Sequence, residues 1–258
     1  MQQLSIIKIG GNVIDDALAL QGFLQKVTNL TGLKILVHGG GKIASQLSEQ
    51  MGITPVMVDG RRVTDDDTIE LVTMVYAGLL SKQLVAQLVK LGMKPLGLSG
   101  ADGNLILACK RPATPVDFGW VGDVTAVDGT ALHSLLQLGY LPVFNAITHD
   151  GQGNLLNTNA DTIACELAKA MAPHYKVRLL YCFEKPGVMR NIDDLASLVP
   201  VLGTALYQQL LAEGVIAAGM KPKLKNCFDA LQAGVEEVRI LHADYLLKPE
   251  QQSTHIVL

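Results

Sequence analysis

Lys8 lies near the end of the run Leu4 to Ile9, where Ile6, Ile7 and Ile9 read as buried, so its ammonium must be paired, meet an anion, or reach solvent from an edge strand. Near the other end of the chain, Gly219-Met220-Lys221-Pro222-Lys223-Leu224-Lys225 reads as a loop entering a helix with Pro222 at its first position. Three lysines then crowd a helix N-terminus, where the backbone dipole disfavours cations. Either they are solvated, or a phosphate sits among them. Two glycine turns point the same way: Lys8-Ile9-Gly10-Gly11-Asn12 and His38-Gly39-Gly40-Gly41-Lys42 each end an apolar run, and successive backbone N–H groups in such turns form anion-binding nests. The chemistry suggested is the holding of a polyphosphate.

Three further groups are candidates. In Asn157-Thr158-Asn159-Ala160-Asp161, Asn159 is a plausible helix cap and Asp161 a first-turn acid, which capping alone would explain. Arg61-Arg62-Val63-Thr64 precedes a helix opened by Asp65, Asp66 and Asp67, with Thr64 a natural cap. The arginines serve either as a fork for a substrate carboxylate or as partners of the neighbouring aspartates. Gly39-x-Gly41-x-x-Ala44 followed by Asp59 also fits a dinucleotide fingerprint, which would make the chain a nicotinamide-dependent oxidoreductase. That fingerprint normally occupies the first strand–helix turn, which here carries Lys8 instead. A Walker A loop fails, because Ile43 follows Lys42 where a Ser or Thr is required.

These residues need elements to position them. Leu4 to Ile9, Leu33 to His38, Pro95 to Leu98, Leu141 to Phe144, Val177 to Tyr181 and Val238 to Leu241 read as strands apolar on both faces. Helical patterns such as Asp65 to Leu91 and Asn159 to Ala172 lie between them. The expected class is α/β, a mainly parallel sheet covered by helices on both sides, with ligands beyond the carboxyl ends of the strands. Between Asn104 and Val127 the helical period gives way to turns around Pro112, Pro115 and Gly119, which predicts a hairpin flap. A lobe boundary is expected at Ala172-Pro173-His174, dividing the chain into 1–173 and 174–258.

Composition narrows the function. The 258 residues are 49% apolar with a net charge of −3, enough for a full core and without the basic field that nucleic acid or anionic membrane requires. No signal peptide or membrane-spanning run is read, so a cytoplasmic protein is expected. Cys109, Cys165, Cys182 and Cys227 are far apart and read as reduced thiols, suggesting neither a zinc site nor disulfides.

In order along the chain, IIKIGG at 6 to 11, VHGGG at 37 to 41, GRRVT at 60 to 64, LSGADG at 98 to 103, GWVGDV at 119 to 124, NTNAD at 157 to 161, GMKPKL at 219 to 224 and THIVL at 254 to 258 resemble the amino acid kinase family. IIKIGG recurs through the wider family, whereas the combination of GRRVT, NTNAD and GMKPK is specific to its acylglutamate branch and nearest relatives. The resemblance implies an αβα sandwich of two lobes, residues 1–173 for an acylated amino acid and for dimerisation, residues 174–258 for ATP with magnesium. It implies transfer of the γ-phosphoryl group of ATP to the side-chain carboxylate of N-acetyl-L-glutamate, giving an acyl phosphate for arginine biosynthesis. Lys8 and Lys223 would stabilise the transferring group, Asp161 would orient them, and Gly11 and Gly41 would donate N–H bonds to phosphate. Gly40, Gly41, Arg62 and Asn157 would hold the amino acid. Glu184, Lys185, Gly187, Val188, Met189, Val215, Ile216 and Ala217 would line the nucleotide site. The Mg2+ would be held mainly by the nucleotide phosphates rather than by a protein metal site. A carboxylate acceptor is already ionised, so positioning and charge dispersal suffice.

Departures from the family pattern qualify these expectations. Phe183-Glu184-Lys185-Pro186-Gly187-Val188 replaces the usual Thr-Asp-Val-Pro-Gly-Val, so Phe183 either stacks on or packs near a base, or marks an altered nucleotide preference. Asn145-Ala146-Ile147-Thr148 differs from the usual turn before NTNAD, which leaves the acyl group open between acetyl and a larger one such as succinyl. The first strand begins near residue 4, without the extra N-terminal helix of arginine-inhibited members, so arginine insensitivity and a homodimer are expected. A kinase of carrier-linked aminoadipate and a non-catalytic metabolite sensor remain as alternatives.

Overall fold

The computed structural model describes all residues except 59, 60, 217 and 218. The chain opens with β1 (Gln3–Ile9), α1 (Gly11–Asp15), α2 (Ala17–Asn29), β2 (Leu33–His38), α3 (Gly41–Gln50), and the short pair β3 (Met57–Val58) and β4 (Arg61–Arg62). Next come α4 (Asp66–Thr73), a π-helical segment (Met74–Leu80), α5 (Ser81–Lys90), β5 (Pro95–Leu98), β6 (Ile106–Lys110), β7 (Gly122–Val127), α6 (Gly129–Gln137) and β8 (Leu141–Phe144). The remainder is β9 (Ile147–His149), β10 (Leu155–Asn157), α7 (Ala160–Met171), β11 (Lys176–Phe183), β12 (Val201–Leu202), α8 (Thr204–Ala212), α9 (Met220–Gln232), β13 (Glu237–His242) and β14 (Ser253–Ile256).

An eight-stranded sheet in the order β12-β14-β13-β11-β1-β2-β8-β5 forms the centre, and only its β13–β14 pair is antiparallel. All of β8 is buried, as are consecutive stretches of β1 and β11, which requires cover on both faces and explains why these runs carry no polar alternation. This is the mainly parallel α/β sandwich expected from the strand pattern. β1 and β11 lie side by side at the middle of the sheet, so strands from before and after residue 173 form its two halves.

The flap exists as a β6–β7 hairpin, joined to β9 and β10 in a second sheet of order β10-β9-β6-β7. Residues 66–90 form one helical stretch with the π-helical segment inside it. By length and composition alone this stretch could cross a membrane, a test that buried core helices also pass. Here Leu71, Val72, Val75, Tyr76, Leu80, Leu84 and Leu88 bury their side chains in the common core. Cys165, Cys182 and Cys227 are buried free thiols, and Cys109 is an exposed one.

Candidate active site

The carboxyl ends of β1 and β2 and the first turns of α7 and α9 converge on Asp161. Asn159 caps α7 by accepting hydrogen bonds from the backbone N–H of Asp161 (2.7 Å) and Thr162 (3.3 Å), which fixes the first turn carrying Asp161. The Asp161 carboxylate then bridges two cations: Lys8 Nζ lies 2.8 Å from Oδ1, and Lys223 Nζ donates to Oδ2. Tyr181, the register partner of Lys8 on β11, donates from its hydroxyl to the Asp161 carbonyl oxygen at 2.9 Å. Burial opposes ionisation of Asp161, but the two ammonium groups overcome it and hold the carboxyl far below the ordinary range. Burial also lowers the pKa of Lys223, against the opposing pull of Asp161. Two cations sharing one anion leave a net positive charge for a further anion.

Only Lys223 of the three lysines near α9 turns inward. Lys225 pairs with Asp229 at 2.7 Å on the surface and Lys221 is exposed, so the solvated alternative holds for those two. The helix begins at Met220, two residues earlier than expected, which moves Pro222 to its third position, where a missing N–H is still tolerated. Phe183 meets the lysines rather than standing clear for a base: its ring centroid is 4.3 Å from Lys223 Nζ and 5.7 Å from Lys8 Nζ.

Two cavities meet at this centre. The first, about 250 Å³, is lined by Lys8, Gly11, Gly39, Gly40, Gly41, Arg62, Asn157 and Asp161, which gathers every residue expected to hold the amino acid together with the two glycines expected to donate to phosphate. The second, about 830 Å³, is lined by Lys8, Gly11, Lys223, Glu184, Lys185, Gly187, Val188, Met189, Val215 and Ile216. Ala217, also expected there, lies outside the described residues. Lys8 and Gly11 border both cavities, so a phosphoryl group crossing between them would pass these two residues.

Gly40 has a packing reason beyond any anion. With φ at 154°, it brings the turn so near the π-helical segment that an added Cβ would stand 2.2 Å from Leu80 Cδ1 and 3.0 Å from the Tyr76 ring. Arg62, buried, donates from Nη2 to the Gly41 carbonyl at 2.9 Å and to Ser45 Oγ at 2.7 Å. No aspartate pair of Arg62 occurs among the described residues; Asp65 caps α4 through the Thr68 N–H, and Asp66 accepts from Trp120 Nε1 at 2.5 Å. Thr64 is therefore not the cap. It is buried, donates to the Arg62 carbonyl, and accepts a 3.1 Å bond from Asn157 Nδ2 that ties β10 to the arginine turn.

Sequence reasoning missed Tyr76 and Arg111 on the wall of the first cavity and Arg190, Asn191 and Glu213 on that of the second; Ala146, in the turn singled out from the sequence, also lines the first. Tyr76 reads as one more apolar residue of an amphipathic helix, and the π-helical turn that presents it has no sequence signature. The loop after β11 is anchored by Thr254, whose Oγ1 accepts from the Val188 N–H at 2.8 Å and donates to the Val199 carbonyl at 2.7 Å.

Residues 3–242 match the amino acid kinase family. The chain belongs to that family. Membership makes it a phosphotransferase that uses ATP and acts on a small molecule, and it removes the support for the oxidoreductase reading, whose Asp59 lies outside the described residues. The chain is 50% identical over 239 residues to an acetylglutamate kinase of Bacteroides fragilis, covering 93% of this chain and 92% of the relative. It is 48% identical over 249 residues to an acetylglutamate kinase of Cytophaga hutchinsonii, covering 96% and 94%. Among solved structures, a protein of Streptococcus mutans UA159 superposes with a TM-score of 0.83 at 26% identity, covering 98% of each chain.

Proposed function

We propose that this kinase transfers the γ-phosphoryl group of ATP to the side-chain carboxylate of an N-acylated L-glutamate, N-acetyl-L-glutamate by the names of its relatives, yielding an acyl phosphate. The observation that carries the reading is the Lys8–Asp161–Lys223 bridge at the junction of a small cavity and a large one. The acceptor carboxylate is ionised near neutral pH and needs no base. Lys8 and Lys223 disperse the charge that spreads over the transferring group, Asp161 keeps both in place, and the N–H groups of Gly11 and Gly41 add donors. Arg62 and Asn157, with Gly40 and Gly41, position the amino acid.

The same geometry supports a division into two lobes. The smaller cavity is lined wholly by residues before 173, which supports residues 1–173 as the acyl amino acid lobe. The larger one draws on residues 183–223 besides the β1 turn, which supports 174–258 as the nucleotide lobe. Among the described residues no group of three or more His, Cys, Asp or Glu side chains is placed to hold a metal. On this proposal Mg2+ is held mainly by the nucleotide phosphates, where it would neutralise their charge. A homodimer is the proposed assembly, and light scattering on the purified chain gives its mass.

The hydroxamate assay tests the reaction class, with ATP and Mg2+ and with N-acetylglutamate, N-succinylglutamate, free glutamate and N-acetylaminoadipate as acceptors. Hydroxamate from an acylated glutamate and none from free glutamate is expected. Product from aminoadipate alone, or from no acceptor, contradicts the proposal.

A further inference from the structure

Lys223 is the one buried lysine among the described residues, and its ammonium has a single hydrogen-bond acceptor among them, Asp161 Oδ2. An ammonium has three N–H donors, and burial penalises its charge besides. What surrounds the rest of it is aromatic. Tyr181 and Phe183 stand two residues apart on β11, so their side chains leave the same face of the strand. Lys223 Nζ lies over both rings, 5.2 Å from the Tyr181 centroid and 4.3 Å from that of Phe183, and Lys8 Nζ lies over the Phe183 ring at 5.7 Å. The hydroxyl bond to the Asp161 carbonyl pins Tyr181. Packing pins Phe183. The Gly10 N–H donates to the Cys182 carbonyl at 2.8 Å, and a Cβ on Gly10 would stand 3.2 Å from both that oxygen and Phe183 Cδ1. The φ of Gly10 is −74°, which any residue adopts, so the glycine makes room for the ring and the carbonyl rather than for an unusual turn.

The face of an aromatic ring attracts a cation through its quadrupole while carrying no net charge. That difference matters at this position. A second carboxylate beside Lys223 would also hold the ammonium, but it would cancel the positive charge that two lysines and one aspartate leave for a further anion. A ring stabilises the ammonium and leaves that charge available. The ionisable groups facing Lys223 are Asp161 from α7, Lys8 from β1, Tyr181 from β11, Cys227 one turn along α9, and Arg61 of β4, which borders a small pocket with it. Burial and Lys8 work against the charged form and Asp161 works for it, and the two rings act on the side of Asp161. Phe183 also lines the larger cavity, so a ring in contact with the lysines and a ring stacked on a nucleotide base are the two uses it could have there. The contacts above are those of the first.

We propose that Phe183 is a positioning residue for Lys223, its ring holding the ammonium at the junction of the two cavities where the transferring phosphoryl group passes, and that it is not a platform for the nucleotide base. The inference rests on the kinase reading for the passage of that group. Its test therefore reads Lys223 itself as well as turnover. In the full chain, Phe183 is replaced by mono-, tri- and pentafluorinated phenylalanine, which keep the shape of the ring while draining electron density from its face, and by Leu. Turnover is measured with ATP, Mg2+ and whichever of N-acetylglutamate and N-succinylglutamate the wild type uses faster. With increasing fluorination kcat should fall stepwise, ending about 10- to 30-fold below wild type in the pentafluorinated protein and in Phe183→Leu, the worth of a desolvated cation–ring contact. KM for ATP should stay within about threefold of wild type throughout, because the ring acts on the lysine and not on the base. The pKa of Lys223, read by NMR of its Cε and assigned with Lys223→Ala, should fall along the same series. A kcat or a Lys223 pKa indifferent to fluorination overturns the inference, since a ring that only fills space would give that result. So does a rise in KM for ATP at unchanged kcat, which would make the ring a base platform. A Lys223 pKa that falls along the series in a protein that turns over neither acylated glutamate would leave Phe183 as the holder of Lys223 and refute the kinase reading alone.

Discussion

Replacing Asp161 by Asn removes the one anion between two cations while keeping the shape of the side chain. The ammonium of Lys8 is 2.8 Å from one carboxylate oxygen and that of Lys223 bonds the other, with side-chain exposures of only 13% and 9%. Charge centres about 4 Å apart attract by about 4 kcal/mol at an effective dielectric constant of 20. Much of that attraction offsets desolvation, and removal of one partner from a buried pair costs about 3–5 kcal/mol because the remaining charge is stranded. The variant should therefore unfold at lower urea concentration by that amount. Lys223, whose pKa burial already lowers, loses its opposing anion and faces Lys8, so its pKa falls further. Turnover should drop by about 10²–10³, the usual effect of losing one charge-stabilising group. It should also recover as pH falls and the lysine regains its proton, in a range where the wild type is flat. Urea titration and a pH profile of kcat check both parts. A variant within about 1 kcal/mol of wild type, with an unchanged profile, would refute the bridge as the element that holds the lysines.

Lys8→Ala and Lys223→Ala should each lower kcat by about 10²–10³ with a smaller change in KM, since their charge matches the transition state; steady-state kinetics in which only KM rises would contradict this. Arg62→Ala should raise KM for the acylated amino acid by about 10- to 100-fold, the worth of a lost charged hydrogen bond, with less effect on kcat and on KM for ATP. Gly40→Ala should lower stability by about 1–3 kcal/mol, because its Cβ would enter Leu80 and Tyr76; an unchanged Tm would show that the helix gives way freely. Burial pushes His38 down to about 4 from 6.5, with Nδ1 donating to the Gly39 carbonyl and opposing the shift. The unfolded chain therefore binds a proton that the folded one does not between those values, so stability is full above pH 6.5 and about 3 kcal/mol of it is lost as pH falls to 4. His38→Gln should flatten urea midpoints measured from pH 7 to 4.5, and an equal slope in both proteins would contradict the assignment.

The central sheet was legible because its strands are buried on both faces: the runs ending at His38, Leu98 and Phe144 coincide with β2, β5 and β8. Lys8 and Lys223 were legible for the complementary reason, each being a charge in a place that needed a partner. The identity of the partner came from the family resemblance, which named Asp161, and not from the residue pattern itself. Asp161 looked like a first-turn acid, and only the packing of α7 against α9 and β1 gives it two lysines. Thr64 looked like a cap because its type suits one, yet the next residue, Asp65, takes that place and frees Thr64 to hold Asn157. Tyr76 and Arg111 were invisible for different reasons. A π-helical turn rotates the first into the cavity, and a cross-strand pair with Asp123 locks the second at its wall. Both depend on contacts between segments far apart in sequence.

The central claim is phosphoryl transfer to an acylated glutamate at the junction of the two cavities. Phosphorus NMR of the wild-type chain with ATP, Mg2+ and either N-acetyl- or N-succinylglutamate tests it most directly. Appearance of an acyl phosphate resonance in step with ADP, absent with free glutamate and lost in Lys8→Ala, is the predicted result. ADP and inorganic phosphate forming at the same rate with and without the acylated amino acid, and no new resonance, would contradict it.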